Sequence, residues 1–150
     1  MGQEWKVIVF TLGLDEYGVE VEKIKTIERI PPITRVPKSP VFVKGVINLR
    51  GVVIPVIDLR GRFGFSENEY TSDSRIIIAA VGNVEIGLIV DSANDVIDID
   101  SDHVDDPPET AGGIKAKYLQ GIAKVGDNRL IVLLNLQEVL NESEIITHTA

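Results

Sequence analysis

Val43-Lys44-Gly45-Val46-Ile47-Asn48-Leu49-Arg50-Gly51-Val52-Val53-Ile54-Pro55-Val56-Ile57-Asp58-Leu59-Arg60 sets two β-branched apolar runs on either side of a polar corner, Asn48-Leu49-Arg50-Gly51. Val and Ile are stiff at χ1 and suit a pleated surface, so the stretch predicts two buried strands joined by a tight turn. Gly51 supplies the positive φ that such a corner needs. The corner therefore presents Arg50 on a rigid support.

Outward from this block the pattern stays that of short strands. Apolar β-branched runs at residues 5–13, 74–81, 85–91 and 129–134 are each bounded by Gly, Asn or Asp, which predicts strands. Gly82-Asn83 between two runs, and Gly126-Asp127-Asn128 before another, mark hairpins. Val21, Ile24, Ile27 and Ile30 lie three apart, a spacing that fits one helical face, yet the alternation over residues 24–30 also fits a strand, and the period leaves both open. Leu136-Gln137-Glu138-Val139-Leu140 after the capping residue Asn135 predicts a short helix, and the tail from Ser143 is expected to fray. Pro31-Pro32 and Pro37 to Pro40 interrupt the ladder pattern. Asp105 to Lys117, with Pro107-Pro108 and Gly112-Gly113, is expected to be a mobile surface loop. The chain is expected to be all-β, a barrel or a sandwich.

Composition bounds the function. A chain of 150 residues suits a single domain, able to bury roughly 68 to 70% of its unfolded surface. Cysteine is absent, which excludes disulfides and thiolate metal sites and suits a reducing cytoplasm. A net charge of −8 opposes general affinity for nucleic acid or anionic lipid. No apolar run approaches the roughly 18 residues of a membrane span, and no leader pattern follows Met1.

The sequence carries no catalytic constellation. Gly45, Gly51, Gly61 and Gly64 form neither a phosphate loop nor a dinucleotide fingerprint. His103 and His148 are too few for a conventional metal triad, and Ser39, Ser66, Ser92 and Ser101 sit in no nucleophile elbow. Asp91 and Asp95 are read as carboxylates that bond turn amides. The acidic stretch 98–109, with Asp98, Asp100, Asp102 and Glu109, mimics part of a calcium loop, but His103 stands where the sharp-turn glycine belongs and Pro107-Pro108 stiffen the exit. A small metal- or ligand-binding sensor using this loop is the alternative reading. No enzyme activity, cofactor or metal is expected.

The signature Val43 to Gly51, followed by Ile54-Pro55-Val56-Ile57-Asp58-Leu59, resembles that of the CheW family of bacterial chemotaxis coupling proteins. Phe10-Thr11-Leu12-Gly13, Glu16-Tyr17-Gly18-Val19 and Ile33-Thr34-Arg35-Val36-Pro37 precede it in family order. Ile86-Gly87-Leu88-Ile89-Val90-Asp91 with Asp95-Val96, Tyr118-Leu119-Gln120-Gly121 and Leu130-Ile131-Val132-Leu133-Leu134-Asn135-Leu136 follow it, so the resemblance covers residues 5–140.

The resemblance implies two packed SH3-like five-stranded β-barrels with a few short helices, forming one domain over residues 1–150. It implies a non-catalytic adaptor that couples chemoreceptors to the histidine kinase CheA in signalling arrays, cytoplasmic and beside the membrane without inserting into it. By carry-over, Ile24, Ile27, Arg50 and Val96 would meet the cytoplasmic receptor tip, Arg50 serving either there or as a brace between loops. Val43, Lys44, Gly45 and Asn48 would face the regulatory domain of CheA. The same module occurs within CheA and CheV, and the length of this chain points to a stand-alone adaptor. The stretch Asp98 to Pro108 is more acidic and Pro-rich than the family pattern.

Overall fold

The computed structural model describes residues 3–40, 42–66, 69–111 and 114–140. The tail from Ser143 and Gly112-Gly113 lie outside them. In chain order the strands are β1 (Glu4–Leu12), β2 (Asp15–Glu20), β3 (Ile24–Glu28), β4 (Val43–Leu49), β5 (Val52–Asp58), β6 (Arg75–Val81), β7 (Val84–Val90), β8 (Ser92–Asp100), β9 (Val104–Asp105), β10 (Thr110–Ala111), β11 (Ile114–Lys115), β12 (Leu119–Val125) and β13 (Arg129–Leu134). The helices are single turns, α1 (Leu59–Arg62) and α2 (Leu136–Val139), each capped by a side chain that accepts a backbone N–H, Asp58 for α1 and Asn135 for α2. The open reading over residues 21–30 resolves as a 3-10 turn, Val21–Lys23, that runs into β3.

Two main sheets result. The first has the order β8-β1-β2-β13-β12-β9 and the second β3-β6-β7-β5-β4, with β10-β11 as a separate ribbon. In each, one continuous piece of chain carries both edges. The edge strands β8 and β9 of the first sheet are separated by a single 3-10 turn, Ser101–His103. In the second, the chain leaving edge strand β3 returns at Thr34 to bridge Val46 of the opposite edge strand, β4. Each sheet thus has its two edges joined by a short stretch of chain, the arrangement of a sheet that curls toward closure. The first sheet exceeds the expected five strands only by the two-residue β9.

Three apolar clusters explain why the strand sequences are hydrophobic without alternation. Val7, Val9, Ile99, Ala123, Ile131 and Leu133 fill the interior of the first sheet. Ile47, Ile54, Val56, Ile76, Ile78 and Ile89 fill that of the second. A larger cluster between the sheets takes the opposite faces of the same strands: Ile8, Phe10 and Leu12 of β1, Ile77 and Ala79 of β6, and Ile86, Leu88 and Val90 of β7. A strand buried on both faces reads as a continuous apolar run.

Two expectations are corrected. Val52 and Val53 are not buried strand residues: they sit beside the hairpin corner at 51% and 67% exposure, beyond Ile54, the first residue of β5 that reaches the inner cluster. Asp105 to Lys117 is not an irregular loop throughout. Its described residues include β9, β10 and β11, and Ile114 is buried in the inter-sheet cluster, where one apolar side chain anchors the segment.

Candidate functional site

The hairpin corner is a two-residue turn. Arg50 and Gly51 take φ of +52° and +88°, the pair of positive values that matches strand twist in a tight hairpin. An Arg in that region is uncommon. Here Asn48 Oδ1 accepts the Gly51 N–H at 2.9 Å, and the Arg50 guanidinium donates from Nη1 and Nη2 to both carboxylate oxygens of Glu28, each at 3.2 Å. Glu28 ends β3, at the far edge of the same sheet, so the pair ties the hairpin to the opposite edge strand. Arg50 is at once a brace and an accessible group, with 72% of its side chain in solvent.

Of the other residues expected to meet a receptor, Ile24 is half-buried against the inter-sheet cluster and pairs with Ala79, whereas Ile27 is exposed at 37%. Val96 lies in the other sheet, on β8 opposite Ile8, at 59% exposure. Neither Ile27 nor Val96 is needed to fill a core.

The expected kinase-facing residues divide by role. Val43 is 8% exposed within the inter-sheet cluster, where it packs. Gly45, at φ +143°, leaves no room for a side chain, because a Cβ would overlap the Thr34 carbonyl. That closeness lets the Thr34 and Val46 backbones exchange both N–H···O bonds at 2.8 Å. Lys44 is half-buried and Asn48 exposed, and Asn48 stands cross-strand from exposed Val53. The outer side of the hairpin is thus a mixed polar and apolar surface.

The acidic groups are engaged elsewhere. Asp100 accepts the Asp102 N–H, capping the 3-10 turn. Asp98 pairs with Lys6 at 3.8 Å and Asp105 with Lys124 at 3.4 Å. Among the described residues no group of His, Asp and Glu is arranged to hold a metal ion. Asp91 does bond a turn amide, that of Gly13, as read from the sequence. Asp95 does not: it accepts from Arg129, which also holds Glu16 through Nε and Nη2 at 2.8 and 2.7 Å. The Arg129 hydrogen bonds hold the Glu16 carboxyl below its ordinary range, burial opposing them. Charged side chains at strand ends were the one available sign of these links, and sequence gives no pairing among them. Glu28 carried no signal, and Thr34 entered only as part of the motif Ile33 to Pro37.

An all-β pair of sheets with structured, partly apolar outer surfaces defines a scaffold class of protein, one that works by docking. The chain belongs to the CheW-like family, whose domain model matches residues 6–144, a family of non-enzymatic chemotaxis scaffolds. It is similar to the chemotaxis protein CheW of Bacillus subtilis, 42% identical over 91% of this chain and 87% of that one. It is similar also to CheW of Klebsiella aerogenes, 34% identical over 96% and 85% respectively. The crystal structure of the scaffolding protein TtCheW from Thermoanaerobacter tengcongensis superposes with a TM-score of 0.88, at 36% identity, covering 96% of this chain and 99% of that one. The protein is a chemotaxis coupling adaptor. Among the described residues no helix is long and apolar enough to cross a membrane.

Proposed function

We propose that this adaptor binds two partners at once, the regulatory domain of the histidine kinase CheA and the cytoplasmic tip of a chemoreceptor, and works in the cytoplasm at the receptor array. One observation carries the reading. Exposed apolar side chains that no core requires occur on both sheets, Ile27 on the second and Val96 on the first, and Arg50 of the second sheet is braced but accessible. A receptor tip spanning the two sheets would meet all three. The kinase would meet Lys44 and Asn48, with Val53 added to that surface, while Val43 and Gly45 shape the strand beneath. Signalling interfaces of this kind are small and partly polar. Each contact then contributes a modest coupling free energy, and binding both partners raises the effective concentration of each for the other.

The test is calorimetric titration of the chain with the CheA regulatory domain and, separately, with a receptor-tip fragment from the same cell. Saturable heat with both is expected. A folded sample that binds neither overturns the reading.

A further inference from the structure

The chain crosses between its two sheets twice, once through the 3-10 turn Val21–Lys23 and once through a single residue, Asp91, which separates the end of β7 from the start of β8. Asp91 is bonded to both sides of that joint. Toward the first sheet its N–H donates to the Thr11 carbonyl at 3.0 Å, and its Oδ2 accepts the Gly13 N–H at 2.6 Å. Toward the second sheet the same carboxylate takes the fork of Arg60: Nε on Oδ1 at 3.0 Å and Nη2 on Oδ2 at 2.6 Å. Arg60 belongs to α1, directly after β5, and is itself held, its N–H by Asp58 Oδ1 and its Nη1 by the Ser66 carbonyl. The next residue along, Ser92, meets Thr11 hydroxyl to hydroxyl at 2.7 Å.

Burial would raise the Asp91 carboxyl, but the Arg60 fork and the Gly13 amide outweigh it and hold the group below its ordinary range. The carboxylate is therefore charged at neutral pH, and its bonds are of the stronger, charge-assisted kind. Only 13% of the Arg60 side chain reaches solvent, so this pair is less screened than the surface pairs.

The inter-sheet apolar cluster holds the sheets together, yet hydrophobic contact is non-directional and does not by itself fix how one layer is turned on the other. Forked, directional bonds do. We propose that the Asp91–Arg60–Gly13 clamp is a positioning device: it sets the two sheets relative to each other and so shapes the surface for a partner that touches both. This rests on the reading that the receptor tip spans Ile27 and Val96. The kinase surface on β4 and β5 lies within one sheet and is independent of the clamp. Asp91 and Arg60 touch neither partner; their effect on receptor binding is indirect and selective.

The experiment uses the full chain and its Asp91→Asn variant, which keeps the shape and loses the charge. Three readouts are taken: a melting curve, titrations with the receptor-tip fragment and with the CheA regulatory domain, and a spin-label distance between sheets. Labels go at Lys124→Cys and Lys25→Cys, clean sites because the chain has no cysteine of its own. The expected result is a folded variant with a broadened inter-sheet distance, receptor-tip affinity about tenfold lower and kinase affinity changed by less than about twofold, a coupling within the usual range for such effects. Unchanged distance with unchanged affinities overturns the proposal, as does an equal loss for both partners. If Asp91→Asn does not fold, Arg60→Lys, which keeps the charge and removes the fork, carries the same comparison. If the parent chain binds no receptor tip, the two-partner reading fails, while the distance measurement still judges the clamp.

Discussion

The Thr34 carbonyl occupies the space that a side chain at Gly45 would need. This contact joins the segment after β3 to the opposite edge strand, so Gly45 is a closure residue of the second sheet before it is anything else. Gly45→Ala is expected to lower stability by on the order of 3 kcal/mol or more, combining a steric overlap with backbone strain at positive φ. Lys44→Ala, one position away and half-buried, is expected to melt within about 1 kcal/mol of the parent. Denaturant melts of the two variants check this. Loss of kinase binding in a Gly45 variant is then to be read against its melt, and loss in a folded Lys44 variant as a missing contact.

Arg50 and Glu28 form a forked pair at the protein surface, the guanidinium well exposed and the carboxylate half-buried. Exposed pairs contribute about 0 to 1 kcal/mol, so Arg50→Ala and Glu28→Gln are each expected to melt close to the parent. Their effects on receptor-tip binding differ: Arg50→Ala weakens it, whereas Glu28→Gln leaves the guanidinium in place and weakens it less. A double-mutant cycle on affinity separates the two roles. Equal loss from both single variants would show that the brace alone matters.

Acid sensitivity follows from two carboxyls. Glu16 and Asp91 lie below their ordinary values of 4.5 and 3.8. A folded-state value under the unfolded one means that the unfolded chain binds protons first as pH falls. The stabilisation is complete above the ordinary values and is lost as pH drops through the folded ones. Melting temperature is expected to decline below about pH 4, and Glu16→Gln to make that decline shallower. An acid limb identical in parent and variant rules out this source.

At high pH the sign reverses through Tyr17. Burial, with the Asp15 charge, pushes its hydroxyl up to about 12 from 10.0. The unfolded chain then ionises first, so stability is intact below pH 10 and falls as pH rises toward 12. Tyrosinate absorbance of the folded protein should show a late-titrating component that is lost in Tyr17→Phe. Tyr17 is 2% exposed and stacks on Phe10 with ring centroids 5.9 Å apart, so the phenolate form has nowhere to hydrate.

Strand positions and the tight corner were legible in the sequence because β-branched runs and turn residues act locally. The runs were read only as strands; that β1 and β7 are buried on both faces is the structure's addition. The closing of the second sheet was not legible. It depends on Thr34 meeting Val46 and on Arg50 meeting Glu28, contacts between residues whose types permit many partners. Exposure was misjudged where it depends on the end of an element: Val52 and Val53 have the composition of core residues, yet they lie past the point where the inner cluster ends. Val43 and Gly45 carried a binding expectation by motif, and the structure adds packing for the one and a close backbone approach for the other.

The shared inter-sheet cluster leads to a last expectation, that the two sheets unfold as one unit. Ile8, Phe10 and Leu12 of the first sheet and Ile77, Leu88 and Val90 of the second belong to the same buried cluster, so parting the sheets would expose that surface to water at a cost of about 25 cal/mol per Å² of apolar area. Trp5, the sole tryptophan, packs against the interior of the first sheet. Ile78 is 1% exposed inside the second. Ile78→Ala is expected to cost about 2 to 5 kcal/mol, and if the unit is cooperative the loss must register at Trp5, on the other sheet. Denaturant titration followed by Trp5 fluorescence and by circular dichroism should give coincident midpoints, both shifted down in the variant. A Trp5 midpoint unmoved by Ile78→Ala would mean that the first sheet unfolds independently, and would remove the cooperative core as the source of its stability.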